Sequence, residues 1–211
     1  MGEVVGVGLI AHVSTVIALD SGWASTVEFI VTSEQRRHGL FTSEELPSVM
    51  HGVPFDYRGD PELAALMGAQ AEKNGTWITP IDDPDLPVMY AMIHLWKYLS
   101  EGLPDKKWIS ASLCQTPTDE DFLRAGRAIG AAYAKSDRRL LLLTSGALSR
   151  SFYRLRELRK HKRADPSHIF SEAARAADYE RLDWFTAGDH ARVLETMPAF
   201  HKVRPEGMFG N

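Results

Sequence analysis

The chain has 211 residues, of which 44% are hydrophobic and 25% charged, a composition typical of globular proteins that argues against a disordered or low-complexity chain. Its 24 basic residues are outnumbered by 28 acidic ones, and the formal charge of -4 argues against a general binder of nucleic acid or of anionic membranes. The single cysteine, Cys114, excludes an intrachain disulfide and a cysteine-rich zinc site, and we expect a cytoplasmic location because no targeting signal or long apolar run is evident.

The first half of the chain predicts strands that alternate with helices. Apolar runs predict strands over residues 4–10, 16–19 and 27–31, and a further short strand begins at Ile78. Pro61–Lys73 predicts a helix, because Asp60 can cap its amino end and Gly75 stands just past its carboxyl end. A second helix is predicted over residues 85–99.

The second half continues the same alternation. A strand is predicted over residues 108–113, followed by the amphipathic helix TDEDFLRAGRAIGAAYAKS, whose acidic residues crowd its amino end after Thr118. RRLLLLTSG, residues 138–146, predicts an inner strand covered on both faces, because four consecutive leucines show no alternation. Helices over residues 171–187 and 191–194 follow. This order predicts an α/β fold, a central mixed sheet flanked by helices on both faces, in one domain over residues 1–211.

The stretch GVGLIAHVSTVIALDSGW, residues 6–23, fits this fold less well. Three residues separate His12 from the apolar run at Val16, whereas a crossover between parallel strands needs a dozen or more. Those three residues also lack the glycine or asparagine of a tight hairpin. Either the strands form an unusual antiparallel turn or a crossover segment is missing, and we favour the missing segment.

Six segments of the chain together resemble the class III extradiol ring-cleaving dioxygenases, of the homoprotocatechuate and protocatechuate catalytic-subunit type. They are GLIAHVSTV, ALDSGWASTVEFIVTSEQRRHGLFTSEELP, DYRGDPELA, KKWISASLCQT, LLLTSGALSRSF and DPSHIFSEAARAADYERLDWF. The resemblance implies an Fe(II) enzyme that opens a catechol ring with molecular oxygen in aromatic catabolism. It also implies that this chain lacks a crossover segment and a C-terminal strand that relatives have.

The resemblance assigns site residues and shows gaps among them. In the family, two histidines and one carboxylate bind one face of the iron. His12 matches the first histidine and Glu206 the carboxylate, but Gly22 in DSGW stands where the family has its second histidine. Pro117 and Arg150 stand where two further histidines are expected, and Arg150 can hold an anionic substrate group but cannot cycle a proton at neutral pH.

This pattern implies a degenerate iron site, in a non-catalytic subunit or an impaired homologue. The alternative is an active Fe(II) dioxygenase whose third ligand comes from water, substrate or a partner chain. The implied partners are a small catechol-type aromatic or a homologous catalytic subunit, in a homo- or hetero-oligomer, with no nucleic acid and no membrane. Because ligands gather at the carboxyl ends of strands in open α/β sheets, we expect His12 and Ser145 to lie near the same rim.

Two of these residues also have an ordinary structural interpretation. His12 could simply end a strand and hydrogen-bond the backbone, and Glu206 could be a solvated carboxylate in a polar tail. The basic run RLRELRKHKR, residues 154–163, is typical of a solvated helix face.

Overall fold

The structure, a computed structural model, describes residues 12–43, 47–100, 105–145 and 172–203. The chain divides into two compact units, residues Met1–Gly146 and Ala147–Asn211. The strand predicted over residues 4–10 and the basic run over residues 154–163 lie outside the described residues. The single domain predicted over residues 1–211 stays a prediction.

The first unit carries a sheet with helices, and the second unit carries a pair of helices. In chain order, the described elements of the first unit are β1 (Thr15–Ser25), β2 (Phe29–Thr32), β3 (Arg36–Phe41), β4 (Val53–Arg58), α1 (Pro61–Lys73), β5 (Ile78–Ile81), α2 (Tyr90–Leu99), β6 (Lys107–Cys114), α3 (Asp119–Ala134) and β7 (Leu140–Thr144). Those of the second unit are α4 (Glu172–Ala187) and α5 (His190–Val203).

The described strands form one mixed, seven-stranded sheet in the order β3-β4-β6-β1-β7, in which β2 also pairs with β6 and β5 pairs with β2. Strand β1 is central and runs parallel to both β6 and β7. Strand β4 is also parallel to β6, whereas β3 is antiparallel to β4 and β2 is antiparallel to β6. The prediction of a central mixed sheet is therefore confirmed.

Apolar side chains cover both faces of this sheet. Because side chains alternate along a strand, Ile17 and Ile109 pack on one face with α1 and α3, and Val16 and Trp108 pack on the other face with Met92 of α2. Helices on both faces, as predicted from the sequence, are thus confirmed.

A buried aspartate ties the amino ends of several elements together. Asp60 is fully buried and accepts hydrogen bonds from Thr15 Oγ1 (2.8 Å), Arg138 Nε (2.9 Å) and Lys107 Nζ (3.2 Å), while it also caps α1 through Leu63 N. Burial alone would raise the pKa of Asp60, but the hydrogen bonds from Arg138, Thr15 and Lys107 outweigh it and lower the pKa below its usual value. One carboxylate therefore links the start of β1, β6 and α1 to the residues just before β7.

Strand β7 lies at the margin of the described part of the sheet. The leucine run predicts an inner strand, and among the described residues β7 pairs with β1 alone. Leu142 is 51% exposed, and Thr144 is exposed as well. The prediction of an inner strand stays a prediction, because the strand predicted over residues 4–10 lies outside the described residues.

Candidate functional site

The carboxyl end of β1 is shaped by a bulge. Asp20 pairs with Ser112 of β6, but the next paired residue is Ala24, opposite Leu113, so residues 21–23 have no partners on β6. Such bulges redirect side chains at the rims of sheets, often beside functional sites. Gly22 lies inside this bulge, and its backbone therefore departs from the regular strand.

Asp20 is the buried ionisable group at this rim. Its side chain is 1% exposed, its Oδ1 accepts a hydrogen bond from Gly22 N at 2.8 Å, and its Oδ2 has no hydrogen-bond partner among the described residues. Burial raises the pKa of Asp20, although the backbone N–H groups of Gly22 and Met92 partly offset that effect. Met92 lies in the first turn of α2, so Asp20 also places a carboxyl group at the positive end of that helix.

The space beside Gly22 is already occupied. A Cβ atom added at this position would lie 3.2 Å from Asp20 Oδ1 and 3.3 Å from Tyr90 Cε1. These distances are shorter than ordinary packing contacts, so a larger side chain requires Tyr90 or Asp20 to move. Position 22 thus supplies no side-chain ligand to a metal, and Asp20 and Tyr90 fill the space that a side chain at this position would need.

His12 lies at the opposite rim of the sheet from Ser145. His12 precedes β1, is exposed, and its carbonyl oxygen accepts a hydrogen bond from Arg139 Nε just before β7. Ser145 follows β7, and its N–H donates to Leu19 O at 3.0 Å near the other end of β1. Because β1 and β7 are parallel, the expectation that His12 and Ser145 share a rim is wrong. The strand predicted before His12, whose carboxyl end would have set that rim, lies outside the described residues.

The described residues do not fit an iron site of the expected kind. At about 3.3 Å per residue, β1 separates His12 from Gly22 by on the order of 20 Å, so one metal ion cannot contact both positions. Within residues 12–43, 47–100, 105–145 and 172–203, no three His, Cys, Asp or Glu side chains are grouped so that they could hold a metal ion. Glu206 and Arg150 lie outside the described residues, so the roles assigned to them, and the ligand role of His12, stay predictions.

Pro117 lines an open groove of about 510 Å³ at the carboxyl end of β6. The groove is also lined by Cys114, Phe29 and Trp77, and the Trp77 side chain is 68% exposed. Its volume lies within the range of small-molecule sites, but Pro117 brings no group that could transfer a proton.

Sequence reasoning missed two residues of this rim. Asp20 directly follows a buried apolar run, which is a signal for a residue at the carboxyl end of a strand, whereas nothing in the sequence links Tyr90 to Gly22.

In the described part of the chain, no helix combines the length and the apolar character that crossing a bilayer requires.

Comparisons with known proteins show the family to which the chain belongs. The family model described as the catalytic LigB subunit of aromatic ring-opening dioxygenase matches residues 9–209. The chain is also similar to a 3,4-dihydroxyphenylacetate 2,3-dioxygenase of Escherichia coli, with 29% identity over 140 residues, which is 66% of this chain. The matched region is 51% of that relative, so the chain spans about half the length of the curated relative it matches.

Proposed function

The chain belongs to the family of the catalytic LigB subunit of aromatic ring-opening dioxygenases, and from that premise we propose that it is a degenerate member whose own residues do not complete the iron site. In this proposal the chain serves as a non-catalytic subunit or is an impaired homologue, in the cytoplasm. The resemblance implies that the family's cofactor is Fe(II), and we propose that this chain binds Fe(II) weakly in the absence of a partner chain.

Gly22 is the observation that carries the proposal. Glycine has no side chain that can bind iron, and Asp20 and Tyr90 close the space that a side chain would need. Pro117 likewise replaces a group that could transfer a proton, a step whose loss typically costs about a hundredfold in rate. The described residues therefore supply no ring-cleaving step of their own.

The partners in this proposal follow from the relatives. A catechol-type aromatic is the substrate class, because the Escherichia coli relative is named for 3,4-dihydroxyphenylacetate. A homologous catalytic subunit, or a second copy of this chain, is the protein partner. The net charge of -4 supports the absence of a nucleic-acid role.

The alternative is an active Fe(II) dioxygenase that completes its ligand set from water, substrate or a partner chain. One observation favours this alternative: His12 is exposed, so its side chain is accessible to substrate and to a partner chain. Glu206 would be the carboxylate ligand in that case.

Anaerobic titration of the full chain with Fe(II), followed by oxygen uptake with 3,4-dihydroxyphenylacetate and protocatechuate, tests the proposal. We expect weak iron binding and turnover at background, with the Escherichia coli relative as the active reference. His12→Ala should weaken the residual iron binding further and leave turnover at background, whereas His38→Ala, a matched change of an exposed histidine on β3, should alter neither measurement. Stoichiometric iron with robust turnover, both abolished by His12→Ala but not by His38→Ala, would establish the alternative.

Gly22→His adds a second arm to this experiment. The new side chain crowds Asp20 and Tyr90, and no second ligand stands beside it among the described residues, so we expect iron affinity to rise by less than about tenfold. A much larger increase accompanied by turnover would show that glycine alone disables an otherwise complete site, and would contradict the proposal.

A further inference from the structure

The connection between β5 and α2, residues 82–89, carries Tyr90 to the rim beside Gly22. It begins after Ile81, whose carbonyl oxygen accepts from Ser33 N at 2.8 Å, and its first four residues are exposed. It ends at Tyr90, the first residue of α2, whose ring lies beside Gly22. The position of this connection on the sheet therefore decides whether the Tyr90 ring stands against position 22.

A buried arginine of β3 holds the middle of the connection. Arg37 is 7% exposed, and a terminal nitrogen of its guanidinium donates to the carbonyl oxygen of Leu86. Its Nε lies 3.0 Å from Oε1 of Glu34, which is buried as well. The guanidinium carries its donors in a fixed planar fork, so one side chain can bind a carboxylate and a backbone carbonyl together. Arg37 thus fastens the connection to β3 at Leu86.

The energetics of the Arg37–Glu34 pair favour a positional role over a stabilising one. A buried ion pair often contributes no more to stability than apolar residues of the same volume, because both charges must leave water. Burial raises the pKa of Glu34, and backbone N–H groups and the charge of Arg37 offset that effect only in part. Apolar side chains could fill the same space, but they could not bond the Leu86 carbonyl. The pair therefore contributes a fixed place for the connection.

The apolar packing of the connection is less directional. Val88 is partly buried and packs against the cluster that includes Tyr57 and Met92. Apolar burial depends on area rather than on orientation, so it keeps the connection on the sheet without setting the exact place of Tyr90. A hydrogen bond from a charged donor is both stronger and more specific in its geometry.

We propose that the Arg37–Glu34 pair is a latch that holds the connection at Leu86 and thereby keeps the Tyr90 ring against Gly22. When the latch opens, the ring leaves position 22 and the rim at the carboxyl end of β1 becomes accessible to a small ligand. Strand β3 lies three places from β1 in the strand order, so access to the rim is controlled from a distant strand. This inference goes beyond the proposed function and does not depend on it, because the latch requires neither iron nor substrate.

Hydrogen exchange of the full chain, measured by mass spectrometry, tests the latch. Arg37→Met combined with Glu34→Leu removes both charges and the bond to Leu86 while it keeps apolar volume. Exchange should rise by at least about tenfold in residues 82–92 and 20–24, because the closed arrangement protects both segments. Exchange in α1 and α3 should not change, because replacing both partners of a buried pair leaves overall stability nearly unaffected.

The matched control is Arg36→Met combined with Asp56→Leu, which removes the neighbouring exposed ion pair between β3 and β4. It should leave exchange unchanged in all of these segments. Arg37→Lys is a milder test that decides the question if the buried double variant does not fold. It keeps a charge beside Glu34 but replaces the fork with one compact ammonium, so exchange should rise in the same two segments.

Three outcomes would overturn the proposal. Faster exchange in residues 82–92 alone would show that the rim stays closed without the latch. An equal rise in α1 and α3 would show that the pair only stabilises the sheet. Equal effects of the buried and the exposed double variants would show that neither pair has a special role.

Discussion

Asp20 and Asp60 are both buried aspartates, and their surroundings shift their pKa values in opposite directions. Asp20 has a pKa raised by burial, with one carboxylate oxygen lacking a partner among the described residues, so its ionisation above pH 3.8 opposes folding. Asp60 receives hydrogen bonds from Arg138, Thr15 and Lys107 that lower its pKa in spite of its burial. The carboxylate that stabilises the sheet is thus distinct from the one at the candidate site.

Asp60→Asn should lower the free energy of unfolding at pH 7 by about 3 kcal/mol, because it breaks buried ion pairs with Lys107 and Arg138. Since folding lowers the pKa of Asp60 below 3.8, its contribution is complete above that pH and is lost as the pH falls through the folded-state value. Urea unfolding across this pH range measures both effects.

The control for this change is Asp56→Asn. Asp56 pairs with Arg36 on the exposed surface, where solvent screens the interaction, so the unfolding midpoint should hardly move. Equal midpoint shifts for the two variants would show that Asp60 does not stabilise the sheet as described.

At the level of single residues, only part of the candidate site could be predicted from the sequence. The glycine at position 22 is visible in the sequence, and so is the proline at position 117. The ring of Tyr90 against Gly22, and the separation of His12 from Ser145, depend on strand direction and register. Those properties arise from pairing between distant segments, which no local pattern reports.

Among the elements, those with strong local signals were predicted well. Helix α1 has its predicted bounds, because the Asp60 side chain accepts from Leu63 N and Pro61 occupies the first turn. Helix α2 begins at Tyr90 rather than at residue 85, because Asp83 forms a turn by accepting from Asp85 N and Leu86 N. Strands β3 and β4 were not predicted, because RRHGLF and VPFDYR lack a regular apolar alternation.

The end of β4 makes a backbone contact that only glycine permits. A Cβ atom on Gly59 would lie 1.9 Å from the carbonyl oxygen of Glu34, so Gly59→Ala should destabilise the protein by about 3 kcal/mol or more. Gly126→Ala in α3 meets nothing within 4 Å and should stabilise by about 0.5–1 kcal/mol. Thermal unfolding of both variants compares them, and a similar melting temperature for the two would contradict the close approach at Gly59.

At the scale of the whole molecule, the described sheet has one charged edge and one apolar edge. The β3 edge carries arginines, whereas the β7 edge carries leucines. Both lie in the same unit, so this asymmetry belongs to a single folded body. The sequence correctly predicted helices on both faces of the sheet, because each face carries its own cluster of apolar side chains. It did not predict the edges, because strand order is fixed only by pairing.

The cluster around Asp60 also has a kinetic consequence. Its partners Thr15, Lys107 and Arg138 are 45, 47 and 78 residues away along the chain, so the cluster forms only after long segments have closed. Contacts made after the rate-limiting step hold the protein folded without speeding its folding. We therefore expect Asp60→Asn to accelerate unfolding and to leave the refolding rate nearly unchanged in stopped-flow measurements over a range of urea concentrations. A slower refolding limb would instead place this carboxylate in the folding nucleus.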